Sequence, residues 1–417
     1  MKHTLFIFLF AGYFASTVAV KAQESFALGA DVSWLTEMEK AGRKFYNAEG
    51  QQKECMQLLK EDLGMNSIRL RVWVNPTVGW CDIPDLLVKA KRAHALGMRL
   101  MIDFHYSDWW ADPGKQNKPA AWVSLSLTEL KQAVYNHTYE VLDTLRNHGI
   151  VPEWVQVGNE TGNGMLWETG KASVSMSNYA QLHIAGYNAV KAISTDIKVI
   201  VHLHNGYDNG LYRWIFDGLK SNGAKWDMIG MSLYPSWYEP NKGNWQSANK
   251  DCLANMNDMV DRYGSEVMIV ETGMSWDQPD TAFVFLTDLI AKTRSVKNNM
   301  GKGVMYWEPQ AYGGWASYSL GSFNNQGKPT RALDAFKNAA STPVLFLPDT
   351  IAWWDNTKKS VELSREVDSL LLYDLNGILI QSATNTQSLS GLQLASGTYL
   401  VETKVNDQKE VFKLICH

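Results

Sequence analysis

Residues Ile83–Phe104 read IPDLLVKAKRAHALGMRLMIDF. The stretch Ile83–Leu96 has helical periodicity, Gly97 follows it, and Arg99–Phe104 is a short apolar run. A glycine just past a helix supplies the left-handed residue that closes its last turn. The same punctuation stands at Leu63-Gly64 and His148-Gly149, each ahead of another apolar run. Eight such runs occur: Phe26–Val32, Ser67–Val72, Arg99–Phe104, Trp154–Val157, Lys198–His202, Met228–Leu233, Val267–Val270 and Gly303–Tyr306. Helical segments separate them, among them Leu127–Asn147, Met176–Ile193 and Thr281–Asn298. Eight strand–helix units predict an α/β fold closed into a (β/α)8 barrel rather than an open sheet.

The alternation stops near Ser341. Thr342-Pro343 and Leu347-Pro348-Asp349 punctuate a linker, and the remainder reads as strands at Leu370–Asp374, Ile378–Ser382, Thr398–Lys404 and Glu410–Ile415, with turns at Asn376-Gly377 and Ser396-Gly397. The N-terminus has a basic start (Met1-Lys2-His3), an apolar run from Leu5 to Val20, and small residues around Lys21-Ala22. That pattern predicts a secretory signal peptide cut after Ala22. The competing reading, a membrane anchor, needs a longer run, and no cysteine stands near the cut to carry a lipid. The expected organisation is therefore a signal peptide at 1–22, a catalytic barrel at 23–341, a linker at 342–353 and a small all-β, sandwich-like domain at 354–417. The protein is expected to be secreted or held at the cell surface, with the periplasm as the alternative, and to be a monomer.

A chain of 417 residues with 45% apolar content can bury a large core, and its net charge of −4 is spread without long single-sign runs. No basic stripe marks a nucleic-acid partner. Seventeen Trp and 17 Tyr stand out more. Core packing is the commoner role of any one indole, but exposed flat rings also stack on the C–H faces of sugars. Cys55, Cys81, Cys252 and Cys416 match no metal motif, and mostly free, buried thiols are expected.

In a (β/α)8 barrel the working face lies at the C-terminal ends of the strands. The residues there are Asp31 and Trp34; Arg71 and Trp73; Asp103, His105 and Asp108; Asn159 and Glu160; His202 and His204; Tyr234; Glu271; and Trp307 and Glu308. Glu160 and Glu271 follow the fourth and seventh strands directly. Two carboxyl groups, one protonated and one ionised, are what cleavage of a glycosidic bond requires. Asn159 is placed to bind a sugar 2-hydroxyl. Tyr234, ending the sixth strand, is placed to hold the Glu271 carboxylate. Arg69 and Arg71 share one face of the second strand, and a buried arginine there implies a carboxylate partner. A lone glutamate after a strand is usually a solvated loop residue; two on suitable strands, one preceded by Asn, are not. His202 and His204 alternate like metal ligands, but hydrolases of the amidohydrolase type carry such a pair on the first strand, so sugar binding or core packing is favoured here.

The resemblance is to glycoside hydrolase family 53, the endo-β-1,4-galactanases. It rests on Gly29-Ala30-Asp31-Val32-Ser33-Trp34, on Ile68-Arg69-Leu70-Arg71-Val72-Trp73-Val74-Asn75-Pro76, and on Asp103-Phe104-His105-Tyr106-Ser107-Asp108-Trp109-Trp110-Ala111-Asp112-Pro113. Val157-Gly158-Asn159-Glu160, Val270-Glu271-Thr272 and Tyr306-Trp307-Glu308-Pro309 complete it. The resemblance implies a retaining endo-hydrolase of β-1,4-galactan side chains of pectin. It implies Glu160 as acid/base, Glu271 as nucleophile, and Arg69, Asn159 and Tyr234 as supporting residues. It also implies sugar contacts from His105, His202, Trp109 and Trp307. Some bacterial members bind calcium in a long loop after the seventh strand; here Thr272–Asp280 looks too short for six to eight oxygen ligands, so no cofactor and no metal are expected. The tail, from Leu370–Gly377 to Gly397–Val401, is similar to C-terminal sorting domains of the type IX secretion system of Bacteroidota, which makes the secretion machinery an expected partner beside the polysaccharide. The alternatives are a related barrel endo-glycanase acting on mannan or xylan, or a polysaccharide-binding protein without catalysis. Intact Glu160 and Glu271 argue against the last of these.

Overall fold

The computed structural model describes residues 26–242, 244–341, 352–405 and 408–416. The signal-peptide reading lies outside them, as does nearly all of the expected linker. Eight parallel strands close in sequence order: β1 (Ala27–Asp31), β2 (Ser67–Val72), β3 (Arg99–Phe104), β4 (Trp154–Val157), β5 (Lys198–Leu203), β6 (Met228–Leu233), β7 (Glu266–Thr272) and β8 (Gly301–Trp307). β8 pairs with β1 from Ala27–Gly303 to Asp31–Trp307 and completes the barrel.

Around it run α1 (Leu35–Lys40), α2 (Cys55–Glu61), α3 (Ile83–Ala95), α4 (Leu127–Arg146), α5 (Met176–Ile193), α6 (Asn209–Ser221), α7 (Pro235–Lys242), α8 (Trp245–Tyr263), α9 (Pro279–Arg294) and α10 (Asp334–Ser341). Their ends follow local chemistry. Asp82 caps α3 by accepting from the Asp85 N–H, and Gly97 follows that helix at φ 64°. Ser126 and Glu129 form a reciprocal capping box on α4. α9 starts two residues earlier and stops four earlier than its periodicity suggests, because Pro279 opens it and the chain turns at Ser295.

The barrel interior changes character along the strands. Ala27, Met101, Trp154, Ile200, Met228, Met268, Val270 and Met305 form an apolar floor separate from the outer core between strands and helices. Side chains alternate along a strand, so inward positions recur every second residue. One or two such steps beyond the floor stand Asp31, Asp103, Gln156, His202 and Ser232, all buried. The floor supplies burial, and the layer above it supplies charge.

The C-terminal region is a single antiparallel sheet rather than a sandwich. β9 (Ala352–Asp355), β10 (Ser360–Tyr373), β11 (Leu379–Leu389), β12 (Gly397–Val405) and β13 (Gln408–Cys416) are ordered β11-β10-β12-β13, with β9 paired to the start of β10. β9 also lies beside β13. The sheet thus curls over its own core of Val361, Leu363, Leu370, Leu372, Val401 and Leu414, with no second layer among the described residues. All four cysteines are free and buried.

Candidate active site

Arg69 organises the polar layer. Its side chain is 1% exposed, and every nitrogen has an oxygen partner. Nε donates to Gln156 Oε1 at 2.7 Å, Nη1 to Asp31 Oδ2 at 2.8 Å, and Nη2 to Asp103 Oδ2 at 3.0 Å and Asn159 Oδ1 at 2.9 Å. Nη1 also stands 3.3 Å from Glu271 Oε2. One guanidinium therefore faces three carboxyl groups. A buried charge left unpaired would be destabilising, and here the surplus is negative. Arg69 and His105 hold the Asp103 carboxyl down to about 2 against the opposing effect of burial.

Glu271 reaches this cluster through an irregularity in β7. Val267 and Ile269 face the outer core while Met268 and Val270 face the floor. Strict alternation would then send Glu271 outward. The register to β6 slips instead, from Met231–Ile269 to Ser232–Glu271, so Val270 is an extra residue. Such bulges re-aim side chains, and this one turns Glu271 inward. There Tyr234 Oη donates to Glu271 Oε1 at 2.8 Å, leaving Oε2 to Arg69.

Glu160 is aimed by a different device. Gly158 adopts φ 98°, and a Cβ there would lie 2.5 Å from Thr161 Cγ2. Glu160 itself has φ 47°, a strained region for a non-glycine residue and one that recurs at functional sites. Its Oε1 has no hydrogen-bond partner among the described residues.

The two carboxyl groups differ in their surroundings. Burial raises Glu160 well above the usual range, and the Glu271 charge adds to it. Burial also raises Glu271, but the Arg69 cation and the Tyr234 hydroxyl pull it back. A shared proton accordingly rests on Glu160 and the negative charge on Glu271.

Both line one cavity of about 260 Å³, walled by His105, Trp110, Asn159, Tyr234, Trp237 and Trp307 among others. His105 Nδ1 accepts from the Ala111 N–H at 3.0 Å, so its proton sits on Nε2, 3.0 Å from Asp103 Oδ2. Trp307 packs against Tyr318 at 4.7 Å. Of the expected sugar contacts, His105 and Trp307 face the cavity together with Asn159. His202 does not: it is fully buried, between Gln156 and Ser232. Trp109 is 49% exposed and tilts against Trp73 at 4.9 Å, outside the residues that line the cavity. Glu308 lies away from the cavity, held by Arg71 Nη1 at 2.8 Å, the Trp34 N–H at 3.0 Å and Gln310 Nε2 at 2.6 Å. Trp237 and Tyr318, which sequence reasoning passed over, do line it. Trp237 stands three residues after Tyr234 and packs on its ring at 4.6 Å; a Trp so soon after a strand end was the available signal. Among the described residues no group of three or more His, Cys, Asp or Glu is placed to hold a metal ion.

The sequence profile described as glycosyl hydrolase family 53 matches residues 27–383. A curated relative, the "probable arabinogalactan endo-beta-1,4-galactanase A" of Aspergillus terreus, is 38% identical over 303 residues, spanning 67% of this chain and 84% of that protein. The arabinogalactan endo-β-1,4-galactanase of Humicola insolens is 34% identical, spanning 67% of this chain and 88% of that one. Among solved structures, one of two fungal β-1,4-galactanases superposes with a TM-score of 0.69 at 30% identity, covering 75% of this chain and 98% of the other. A GH53 catalytic domain from Ignisphaera aggregans gives 0.68 at 31% identity, covering 75% and 96%. An endo-β-1,4-mannanase from Thermotoga petrophila, at 12% identity and a TM-score of 0.55, shares the fold alone. With its profile match running through the barrel and relatives above 30% identity, the chain belongs to glycosyl hydrolase family 53.

Proposed function

We propose that the protein is a retaining endo-hydrolase of β-1,4-galactan, the side chain of pectic type I arabinogalactan. The observation that carries the reading is the pair of carboxyl groups in one cavity with opposed protonation, in a chain whose relatives are named as galactanases. In the first step a Glu271 oxygen bonds to the anomeric carbon as the bond to the leaving oxygen breaks, and the Glu160 proton passes to that oxygen. In the second, Glu160, now a carboxylate, takes a proton from water, the water oxygen bonds to the anomeric carbon, and Glu271 leaves as a carboxylate. Positive charge develops on the sugar ring in both steps. The surplus of negative charge around Arg69 favours it. Asn159, held through its Nδ2 by the Ala111 carbonyl at 2.9 Å, is the residue assigned to the 2-hydroxyl.

Product analysis on β-1,4-galactan beside mannan and xylan tests the substrate, and NMR of the first-formed anomer tests retention. A preference for mannan or xylan points to another barrel endo-glycanase, and an inverted product removes the nucleophile role from Glu271. Glu160→Gln and Glu271→Gln are each expected to lower galactan cleavage by roughly 10³-fold or more.

Export, a monomeric state and metal-independent activity belong to the same reading. Export rests on the N-terminal sequence pattern and the likeness of the tail to sorting domains, and metal independence on the short loop between β7 and α9. Unchanged activity and unfolding midpoint in EDTA are expected.

A further inference from the structure

Tyr306 takes no part in the steps above, and its neighbours on β8 explain where its side chain goes. Met305 belongs to the apolar floor and packs inward, so alternation sends Tyr306 outward, where it is fully buried. Its hydroxyl emerges between the two connections that follow β7 and β8. The oxygen accepts from the Met274 N–H at 3.1 Å. Its single hydrogen goes to the Leu320 carbonyl at 2.8 Å, the nearest of three carbonyls there; those of Met274 and Gly321 stand at 3.2 and 3.3 Å. One phenol thus joins an N–H of one connection to a C=O of the other, as a rung joins two strands.

Two further contacts lie on the same seam. The Trp276 N–H donates to the Ser319 carbonyl at 3.0 Å. Gly273 follows Glu271 closely, and a Cβ there would lie 2.9 Å from Tyr318 Oη, 3.1 Å from the Leu320 carbonyl oxygen and 3.2 Å from Tyr234 Cε1. A glycine at this place lets the two connections approach so far.

The connection after β8 needs such fastening. Between β8 and Thr330 it holds no α-helix and no strand of either sheet, just the 3₁₀ turn Trp315–Ser317. Segments of that kind have low local stability and take their place from tertiary contacts. Yet this one carries Tyr318 and Leu320, and both line the cavity with Glu271. Tyr318 is set in direction as well. Its Oη donates to the Trp307 carbonyl at 3.2 Å, and its ring stands edge-on to Trp307 at 4.7 Å and to Trp34 at 5.8 Å.

We propose that Tyr306 is a positioning residue for substrate binding: its hydroxyl fastens the connection after β8 to the one after β7 and so holds the wall of Tyr318 and Leu320 in place against the sugar. The proposal rests on the reading of this cavity as the galactan cleft. It assigns the phenol to binding and not to the bond-breaking steps, since its hydrogen-bond partners are backbone groups of the wall and neither carboxyl group is among them.

The test separates KM from kcat on galactan for Tyr306→Phe and Gly273→Ala. It also measures galactotetraose affinity by calorimetry in the Glu271→Gln background, where no turnover intervenes. Tyr306→Phe keeps the ring and removes the fastening. KM is expected to rise about five- to tenfold with kcat within about twofold, and the affinity for galactotetraose to fall by a matching factor. Neither limb of the pH profile should move. Gly273→Ala keeps the hydroxyl but pushes the same wall aside, so the same rise in KM is expected. Because both act on one wall, the double variant should raise KM by less than the product of the single effects; a full product means two separate causes and refutes the common wall. A lowered unfolding midpoint with KM unchanged reduces Tyr306 to a packing residue and overturns the proposal. So does a fall in kcat as large as the rise in KM with a moved acid limb, which places the action at Glu271. If Tyr306→Phe does not unfold cooperatively, Gly273→Ala decides, and an unaltered KM there is fatal. The underlying reading fails separately. If the unsubstituted protein prefers mannan or xylan, galactan is removed as the substrate, and the same split on the preferred polysaccharide still judges Tyr306.

Discussion

Arg69 and Arg71 sit two residues apart on β2, on the same face, and both are 1% exposed. Their neighbourhoods have little else in common. Arg69 lies among oxygens, with four side chains accepting from it and Glu271 beyond. Arg71 lies among indoles, its guanidinium carbon 4.1 Å from the Trp110 ring centroid and 5.3 Å from those of Trp34 and Trp73. Its one carboxylate partner is Glu308 at 2.8 Å, and its Nε and Nη2 have no hydrogen-bond partner among the described residues. The weakly hydrated planar cation tolerates such a place because ring faces replace part of its solvation. The difference separates two tasks for one residue type. Arg69 sets the charge state of a carboxyl group, and Arg71 holds together the aromatic wall to which Trp110 and Trp307 belong.

That separation can be broken by substitution. The largest effect is expected for Arg71→Met, which leaves Glu308 buried without its cation and should cost about 3–5 kcal/mol of stability. The kcat of the folded fraction should stay within about tenfold, and adding Glu308→Gln should recover much of the lost stability in a denaturant titration. If kcat falls with stability intact, the two arginines are not divided as described. Arg69→Lys comes next: an ammonium cannot serve the fork, and kcat/KM on galactan should fall about 10²- to 10³-fold. The measurement to make with it is the unfolding midpoint, which should move less than in Arg71→Met. Tyr234→Phe removes a donor to the Glu271 carboxylate. The ionised form loses support, its pKa rises, and the acid limb of kcat/KM should move up by about one unit with a loss of about tenfold. A downward move would contradict the assignment of Glu271 as the ionised partner. Smallest is Trp237→Ala, where loss of a ring 47% exposed at the cavity wall should raise KM a few-fold, by about 1 kcal/mol, and leave kcat nearly unchanged.

Much of this is legible before any coordinates, for identifiable reasons. The strands of a closed parallel barrel are buried on both faces, so β2, β3, β4 and β6 appear as apolar runs with the bounds they have in the fold. The position of Glu271 is legible from the strand end, but its direction is not. Alternation points it outward, and the bulge at Val270 leaves no mark in composition. Trp237 sits on the short helix α7 and Tyr318 in the connection after β8, and only the barrel mouth brings them beside Glu271. The tail reads as a sandwich because strand patterns report apolar faces and not what covers them; a sheet that curls so that β9 meets β13 gives the same pattern.

The Arg71–Glu308 pair has a further consequence, for the order of assembly. Arg71 belongs to β2 and Glu308 follows β8, and the Glu308 N–H donates to the Asp31 carbonyl at 2.9 Å on β1 between them. The pair therefore bridges the seam where the last strand meets the first. A nascent chain that has made seven strands holds an arginine with no carboxylate and a raw edge on either side. Only the arrival of the eighth removes both at once. Partly wound barrels are thereby disfavoured as resting states, and truncation before Glu308 is expected to yield not a weaker enzyme but a chain that does not settle.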